Sequence, residues 1–388
     1  MGCLALFGRL FRPLLGWAFG LTILFTAVFG NYIITLFLPL VLFGRHVQWR
    51  QLMDRAISFW MMIPMTFLEF IFGVRFRVTG DAVELDKPAL IIMNHRTRLD
   101  WMYLWSALFK MNPWLLTSSK ISLKEQLKSL PGAGFGMAAS QFIFLQRNAE
   151  EDKQRLTQAI DYYAGVGGTY QILLFPEGTD KSPWTTKKSD EFAKKNGFRE
   201  LKNVIYPRTA GFLHLLEKMR KENYVSYIYD VTVAYPTNIV QSEVDLVLKG
   251  QAPKDVHFDF RKIDIANVPK SEAELNKWLN EIWVAKDERL ERYYSQPKAN
   301  RKFTPSGEGY IWEKQDLKQA AAKIFSFCFW VSVVCVWSYH MFFLRFVQIG
   351  FTYFFVVSTF LNWRYGGIDQ MVFASFSSWR SSRASRVV

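Results

Sequence analysis

The polarity of the chain changes character along its length. Residues 14–43 run for thirty positions without a charge, more than the roughly 20 residues that carry a helix across a bilayer. Gly30, Asn31 and Pro39 punctuate that run, so one tilted helix and a bent, re-entrant pair both fit it. Residues 57–68 form a second apolar stretch before Glu69, suited to the membrane interface or to packing on the first. Residues 324–344 and 346–363 are two uncharged runs parted only by Arg345, the pattern of a transmembrane helical hairpin. Between these ends the pattern shortens. Apolar runs predict strands over 89–93, 115–118, 142–146, 171–175, 204–206, 228–234, 243–248 and 257–261. Amphipathic stretches predict helices over 101–109, 149–163, 212–222 and 271–294, the last opened by Ser271 with Glu274 three residues on. Strands alternating with helices imply an α/β domain with a mostly parallel sheet flanked by helices, whose ligand sites collect at the strand carboxyl ends. The expected organisation is N-terminal membrane-associated helices over 1–73, a catalytic domain over 74–296, a linker over 297–320, a C-terminal transmembrane hairpin over 321–364 and a basic tail over 365–388. Two prolines and two glycines within 295–312 mark the start of the linker.

Composition agrees with this division: half of the 388 residues are hydrophobic and 17% aromatic, an excess that membrane segments explain. The net charge of +14 falls largely beside those segments. Arg9 and Arg12 precede the first, Arg45, Arg50 and Arg55 follow it, Lys314, Lys318 and Lys323 precede the hairpin, and Arg364, Arg380, Arg383 and Arg386 follow it. Positive flanks resist translocation, so the central region and both termini are expected on the cytosolic face, with Arg345 alone at the far surface. Nucleic acid is not expected as a partner, because the aromatics sit in apolar runs and no groove-reading or strand-binding module is present. Anionic lipid head groups fit the charge better. The first apolar run is too long for a cleaved signal peptide. Cys3, Cys328 and Cys335 lie at the terminus or in the hairpin, and His46, His214, His257 and His340 show no ligand spacing, so neither a cysteine nucleophile nor a metal is expected.

The chemistry concentrates in two polar blocks, each closing an apolar run. His95 follows the run at 89–93 with Asp100 five residues on, within reach if a helix begins there. An imidazole can take a proton from a hydroxyl at neutral pH, and a carboxylate beside it fixes the tautomer and steadies the imidazolium. Taken alone such a pair is more often structural. Here Asn94, Arg96 and Arg98 crowd the same block and are candidates for holding substrate. The second block is Phe175-Pro176-Glu177-Gly178-Thr179. A turn accounts for Pro176 and Gly178 and leaves the acid between them, with Glu177 suited to a substrate hydroxyl and the following amides with Thr179 to a phosphate or glycerol. Arg147, ending the run at 142–146, suits a phosphate or, equally, a surface position beside Glu150 and Asp152. Pro207-Arg208-Thr209 reads as a helix start. Lys187, Lys188, Lys194 and Lys195 read as a solvated face that could also meet acidic head groups or coenzyme A phosphates. The glycines of 132–136 precede a strand instead of following one, which rejects a dinucleotide fold. No nucleophile elbow and no Walker loop occurs. A base without an enzyme nucleophile fits direct transfer, in which His95 deprotonates a substrate hydroxyl that attacks an activated acyl group.

Asn94-His95-x4-Asp100, then Gly134 with Phe142-Ile143-x3-Arg147, then Phe175 to Thr179, then Val204-x2-Pro207 resemble the four ordered blocks of the PlsC-type glycerophospholipid (1-acylglycerol-3-phosphate) acyltransferases. Finer features, among them the full 94–101 block, Phe192-Ala193-x-Lys195-Asn196-Gly197 and the run from Asp230 to Ile239, are similar to the branch that reacylates lysocardiolipin and lysophosphatidylinositol. The resemblance covers about residues 15–300. It implies the glycerolipid acyltransferase fold, acyl-CoA as co-substrate with no bound cofactor, a lysophospholipid acceptor and an endoplasmic reticulum membrane. It also implies His95 as general base with Asp100 as its partner, Arg147, Glu177, Gly178 and Thr179 on the acceptor phosphate and glycerol, and Pro207 at the pocket wall, with Arg208 beside it as a further substrate-binding candidate. A lysophosphatidic acid acyltransferase of the same fold and a non-catalytic lipid-binding relative are the alternatives.

Overall fold

A computed structural model describes residues 2–384, with backbone alone for 2–10 and 382–384, so Arg386 and the side chains of Cys3, Arg9 and Arg383 lie outside the described residues. The described residues hold eight strands: β1 (Arg75–Gly80), β2 (Ala89–Met93), β3 (Ser119–Lys124), β4 (Ile143–Leu145), β5 (Gln171–Leu174), β6 (Tyr227–Ala234), β7 (Asp255–Asp264) and β8 (Tyr310–Trp312). They form one sheet in the order β4-β3-β5-β2-β6-β7-β1-β8. The first five in that order are mutually parallel; β7 runs antiparallel to β6, β1 parallel to β7, and β8 antiparallel to β1. All five residues of β2 are buried, which is why it reads as an unbroken apolar run instead of an alternation. Ile92 pairs with Leu174 and Met93 with Val231, so β5 and β2 end side by side while β6 runs three residues further, and His95 leaves the sheet there.

Most predicted elements are found within about three residues of their expected bounds, including the helix Glu272–Ser295 whose N-cap Ser271 accepts from the Glu274 amide. Three strands are not strands. Residues 115–118 wind into a helical turn, Leu115–Ser118, because Asn112 caps the Trp114 amide and the Thr117 and Ser118 hydroxyls bond back to carbonyls three residues earlier; β3 starts only at Ser119. Residues 243–248 belong to the helix Glu243–Lys249, capped by Ser242 and ended by Gly250 at φ +60°. The alternation there also satisfies a three-to-four-residue period, and the caps at the two ends decide between them. Residues 204–206 join no strand, since the Asn203 and Tyr206 amides donate to the Asp287 carboxylate and the Ser189 hydroxyl. The linker is also more ordered than its prolines and glycines imply: β8 lies within it, and the Ser306 and Glu308 amides donate to buried Asp259 and Asp81. The stretch read as a basic tail contains the helix Ile368–Ala384, which buries Phe373 and Phe376 against Tyr162.

Among the described residues, three helices are long and apolar enough to cross a membrane, spanning Phe11–Leu42, Leu317–Phe343 and Arg345–Tyr365. The helix Gly2–Thr35 runs through Gly30 and Asn31 and breaks only before Pro39. Asn31 does not interrupt it because its amide donates to the Gly132 carbonyl, and Gly30 faces Trp330 of the hairpin. Packing follows its whole length: Gly16 and Gly20 admit Val247, residues 24–28 pack on Gly132, and Tyr32 stacks on Phe351. The apolar stretch 57–68 lies in the helix His46–Thr66 and its π-turn Phe67–Ile71, bound to the hairpin by Ser326 to the Phe59 carbonyl, Thr66 to the Lys323 carbonyl, and a buried Lys323–Glu69 pair.

Candidate active site

The catalytic candidates stand where β2 gives way to the helix Asp100–Met111. His95 Nδ1 lies 3.0 Å from Asp100 Oδ2, and the carboxylate is fully buried while the imidazole keeps 13% exposure. Four donors converge on Asp100. Besides His95, Oδ2 accepts the Thr97 amide at 2.9 Å, while Oδ1 accepts the Thr97 hydroxyl at 3.1 Å and the Tyr235 hydroxyl. A carboxylate that accepts everywhere obliges Nδ1 to carry a hydrogen, so the lone pair of the neutral ring is on Nε2. The ring is held flat by Phe175, stacked at 4.1 Å between centroids, and the His95 carbonyl is fixed by the Lys181 amide at 2.8 Å. Sequence reasoning missed Thr97 and Tyr235. Thr97 stands three residues before Asp100, the spacing at which a hydroxyl and amide reach a carboxylate across a turn; Tyr235 lies 135 residues away and offers no local signal.

Glu177 is beside this pair but beneath it. The carboxyl is 1% exposed, accepts the Trp283 indole N–H at 3.1 Å, and leaves Oε2 unpartnered. Burial pushes its pKa up to about 8, opposed by the Trp283 and His95 backbone donors and by Lys286. Trp283 and Lys286 come from the helix Glu272–Ser295 and are the second feature sequence reasoning missed. Lys286 is itself buried, pairing with Asp230 at 2.6 Å. Gly178 follows at φ +70°, in the left-handed region, and a Cβ there would meet Arg208 at 3.2 Å. Gly178 and Arg208 are exposed and Thr179 half-buried at the cleft, with Pro207 buried behind, its neighbour held by the Arg208 amide on the Pro176 carbonyl at 2.7 Å.

The remaining candidates divide. Asn94 is buried with its amide clamped to the Val233 backbone, accepting at 2.9 Å and donating at 3.2 Å, which extends the β2–β6 ladder by one residue. Arg96 donates to the Lys181 carbonyl and to Gln241, so both residues hold the protein's own loops together. Arg98 is exposed near Asp180 and Glu243. Arg147 is exposed at φ +69° beyond β4, which stands three strands from β2, about 14 Å at 4.8 Å per strand. The structure does not bring it to His95. It joins Lys124 at the end of β3, whose pKa is lowered by burial and then by the Arg147 charge, with Arg98 adding to the effect. Arg98, Lys124 and Arg147, with Asp180 and Glu243 among them, thus make a charged rim at the ends of β3 and β4.

Next to the block that holds Asp100 is an apolar cavity of about 600 Å³. Leu99, Trp101 and Met102, which flank Asp100, form one wall; Ile23 and Ala27 of the first helix, Ala56 and Trp60 of the second, and Trp330 of the hairpin form others. Leu99 and Trp101, on either side of Asp100, thus join the catalytic pair to a greasy chamber, an arrangement suited to holding an apolar chain beside a base.

Comparison with known proteins gives the same kind of chemistry. A family model described as Acyltransferase matches residues 75–236, and one described as Acyltransferase C-terminus matches 246–330. The chain is 60% identical to Lysophosphatidylinositol acyltransferase 10 of Caenorhabditis elegans over 97% of this chain and 96% of that protein. It is 41% identical to Lysocardiolipin acyltransferase 1 of Gallus gallus over 76% of each chain. It is 33% identical to Probable 1-acyl-sn-glycerol-3-phosphate acyltransferase 5 of Arabidopsis thaliana over 62% of this chain and 64% of that one.

Proposed function

The chain belongs to the PlsC-type acyltransferase family, and we propose that within it the protein moves a fatty acyl group from acyl-CoA to a free glycerol hydroxyl of lysophosphatidylinositol. The observation that carries this reading is a buried carboxylate holding His95 with Nε2 free as a base, in a block whose Leu99 and Trp101 line an acyl-sized apolar cavity. The acyl chain lies in the cavity, and the acceptor phosphate meets the rim of Arg98, Lys124 and Arg147. Gly178, Thr179 and Arg208 line the acceptor side; Asn94, Arg96 and Glu177 hold the loops that shape it.

The reaction then runs without a covalent enzyme intermediate. His95 Nε2 takes the acceptor hydroxyl proton as the oxygen attacks the thioester carbonyl. The tetrahedral intermediate collapses by breaking the C–S bond, and the imidazolium returns its proton to the departing thiolate, giving an ester and CoA. Asp100 stabilises the imidazolium between those steps, and its four donors keep the carboxylate from turning away. The membrane helices bring the cleft to its acceptor at an endoplasmic reticulum bilayer, with the catalytic face cytosolic where acyl-CoA arrives.

The test is an acyl-CoA assay of the purified protein across lysophosphatidylinositol, monolysocardiolipin, lysophosphatidic acid and lysophosphatidylcholine. Preference for lysophosphatidylinositol is expected. A preference for lysophosphatidic acid would move the protein to de novo phosphatidic acid synthesis, and no transfer to any acceptor would leave a lipid-binding role.

A further inference from the structure

A second cavity, of about 680 Å³, opens at the same end of the sheet on the far side of β6, beyond the strand ends that carry the catalytic pair. Its lining is strongly basic, with seven lysines and arginines against three carboxylates. Each carboxylate already faces a cation: Asp255 pairs with Arg75, Glu313 with Arg77, and Glu69 with Lys323. Lys254, Lys298 and Lys302 have no carboxylate partner among the described residues. Exposed lysines alone are usually a solvated surface, and three features of the floor set this place apart. Arg77 is mostly buried, with Nε unpartnered. The Glu69 side chain is 5% exposed, and Oε1, the oxygen not held by Lys323, has no donor. His257 is buried on a hydrogen bond to the Tyr293 hydroxyl; burial and then the Arg77 charge hold it neutral, with a pKa lowered to about 4. A net positive bowl with one unsatisfied donor and one unsatisfied acceptor at its base matches a ligand carrying both phosphate charge and hydroxyl groups.

The position of the bowl says where that ligand comes from. Gln315 on its wall lies two residues before the membrane helix Leu317–Phe343, and Glu69 lies in the π-turn pinned to that helix. Phe70, Ile71 and Leu317 beside it are exposed apolar side chains, a greasy lip on a basic bowl. The cavity is separate from the catalytic pair: the helix Asp100–Met111 begins at Asp100 and reaches the bowl ten residues later at Lys110, about 15 Å away at 1.5 Å per residue.

We propose that this cavity is a second lipid site, which takes the phosphorylated polyol head group of an anionic membrane lipid and is distinct from the site of the reacting acceptor. Lys254, Lys298 and Lys302 receive the phosphate, Arg77 and Glu69 meet the polyol, and the acyl chains leave across the Phe70–Leu317 lip into the bilayer. An occupant would press on the strand end that holds Asp100, because Pro236 and Thr237 line the bowl next to Tyr235, whose hydroxyl donates to Asp100.

The full chain in phosphatidylcholine nanodiscs is titrated with dioctanoyl phosphatidylinositol 4-phosphate, with empty nanodiscs as the blank. Saturable binding is expected, weakened at least about tenfold by combined Lys254→Ala, Lys298→Ala and Lys302→Ala, given roughly 1 kcal/mol per lysine at an anionic surface. The triple variant is expected to keep wild-type acyl transfer in phosphatidylcholine, which also reports that it folds. Coenzyme A and free inositol 1,4-bisphosphate serve as competitors, and each is expected to displace the lipid only at higher concentration. Absence of binding, or binding unchanged in the triple variant, would overturn the proposal, the latter by leaving the probe in the catalytic cleft. Displacement by equimolar coenzyme A would assign the bowl to the nucleotide, and displacement by equimolar inositol bisphosphate to a soluble ligand; either result also overturns it.

Discussion

Replacing Asp100 with asparagine separates two things a carboxylate does for an imidazole, and the surroundings of this residue decide which is lost. An amide has one acceptor and one donor end, and the four groups around Asp100 are not equivalent. Two, the His95 ring and the Thr97 amide, meet Oδ2; two, the Thr97 and Tyr235 hydroxyls, meet Oδ1. A backbone N–H cannot reverse, whereas a hydroxyl rotates to accept. The side-chain amide of the Asp100→Asn variant therefore places its oxygen toward Thr97 N–H and His95, and its NH2 toward the hydroxyls, and Nδ1 keeps its hydrogen. The tautomer survives and the charge does not. A unit charge pair at about 4 Å is worth about 4 kcal/mol at an effective dielectric of 20. The imidazolium is only partly formed in the transition state and the amide oxygen still accepts from Nδ1, so about 3 kcal/mol is lost, roughly a hundredfold to thousandfold in kcat. Loss of the tautomer would cost about ten-thousandfold. The assay is transfer of labelled oleoyl from oleoyl-CoA to lysophosphatidylinositol, with His95→Ala as the floor, expected to be inactive yet folded and membrane-inserted. An Asp100→Asn rate within about tenfold of wild type would refute electrostatic support by the carboxylate. A rate on the His95→Ala floor would refute the orientation argument.

Burial raises the Glu177 pKa from 4.5 to about 8, so the folded state holds a proton that the unfolded chain has released; the resulting stability is complete below about pH 4.5 and lost as pH rises through 8. Glu177→Gln removes that dependence, so thermal unfolding across pH 5–8 should show the variant gaining on wild type by up to about 4 kcal/mol at 1.36 kcal/mol per unit, and parallel curves would refute it. Arg147→Ala should raise the KM for lysophospholipid more than that for acyl-CoA, since a group binding alike in ground and transition states affects KM; a selective loss of acyl-CoA affinity would reassign the rim to the donor. Ala56→Phe narrows the apolar cavity and should shift preference toward shorter acyl-CoA, with an unchanged chain-length profile as the contrary result. A glycosylation sequon on a short spacer at Arg345 should be modified in microsomes while one after Arg380 is not, and the reverse pattern would invert the orientation expected from the positive flanks.

What the sequence determined by itself is what short-range chemistry controls. The His95–Asp100 pair was legible because five residues span one turn at a strand end, and the block around Glu177 because Pro and Gly mark a turn wherever they occur. The membrane segments were legible because thirty uncharged residues have few other uses. Where local signals were shared between conformations, tertiary contacts decided. Residues 243–248 fit a strand period and a helix period alike until caps and the packing of Val247 on Gly16 and Gly20 selected the helix. Residues 204–206 had strand-like side chains, but Ser189 and Asp287 took the backbone partners that a ladder would have supplied. Asn31 reads as a helix breaker in isolation, and the carbonyl that satisfies it is 101 residues away. The same holds within the active site. Tyr235 reaches Asp100 because β6 lies beside β2 in a fixed register, and Glu177 is buried because the helix Glu272–Ser295 lays Trp283 over it. No window of sequence contains those partners, since the parallel register that unites them is set by closing loops of more than a hundred residues around one buried sheet.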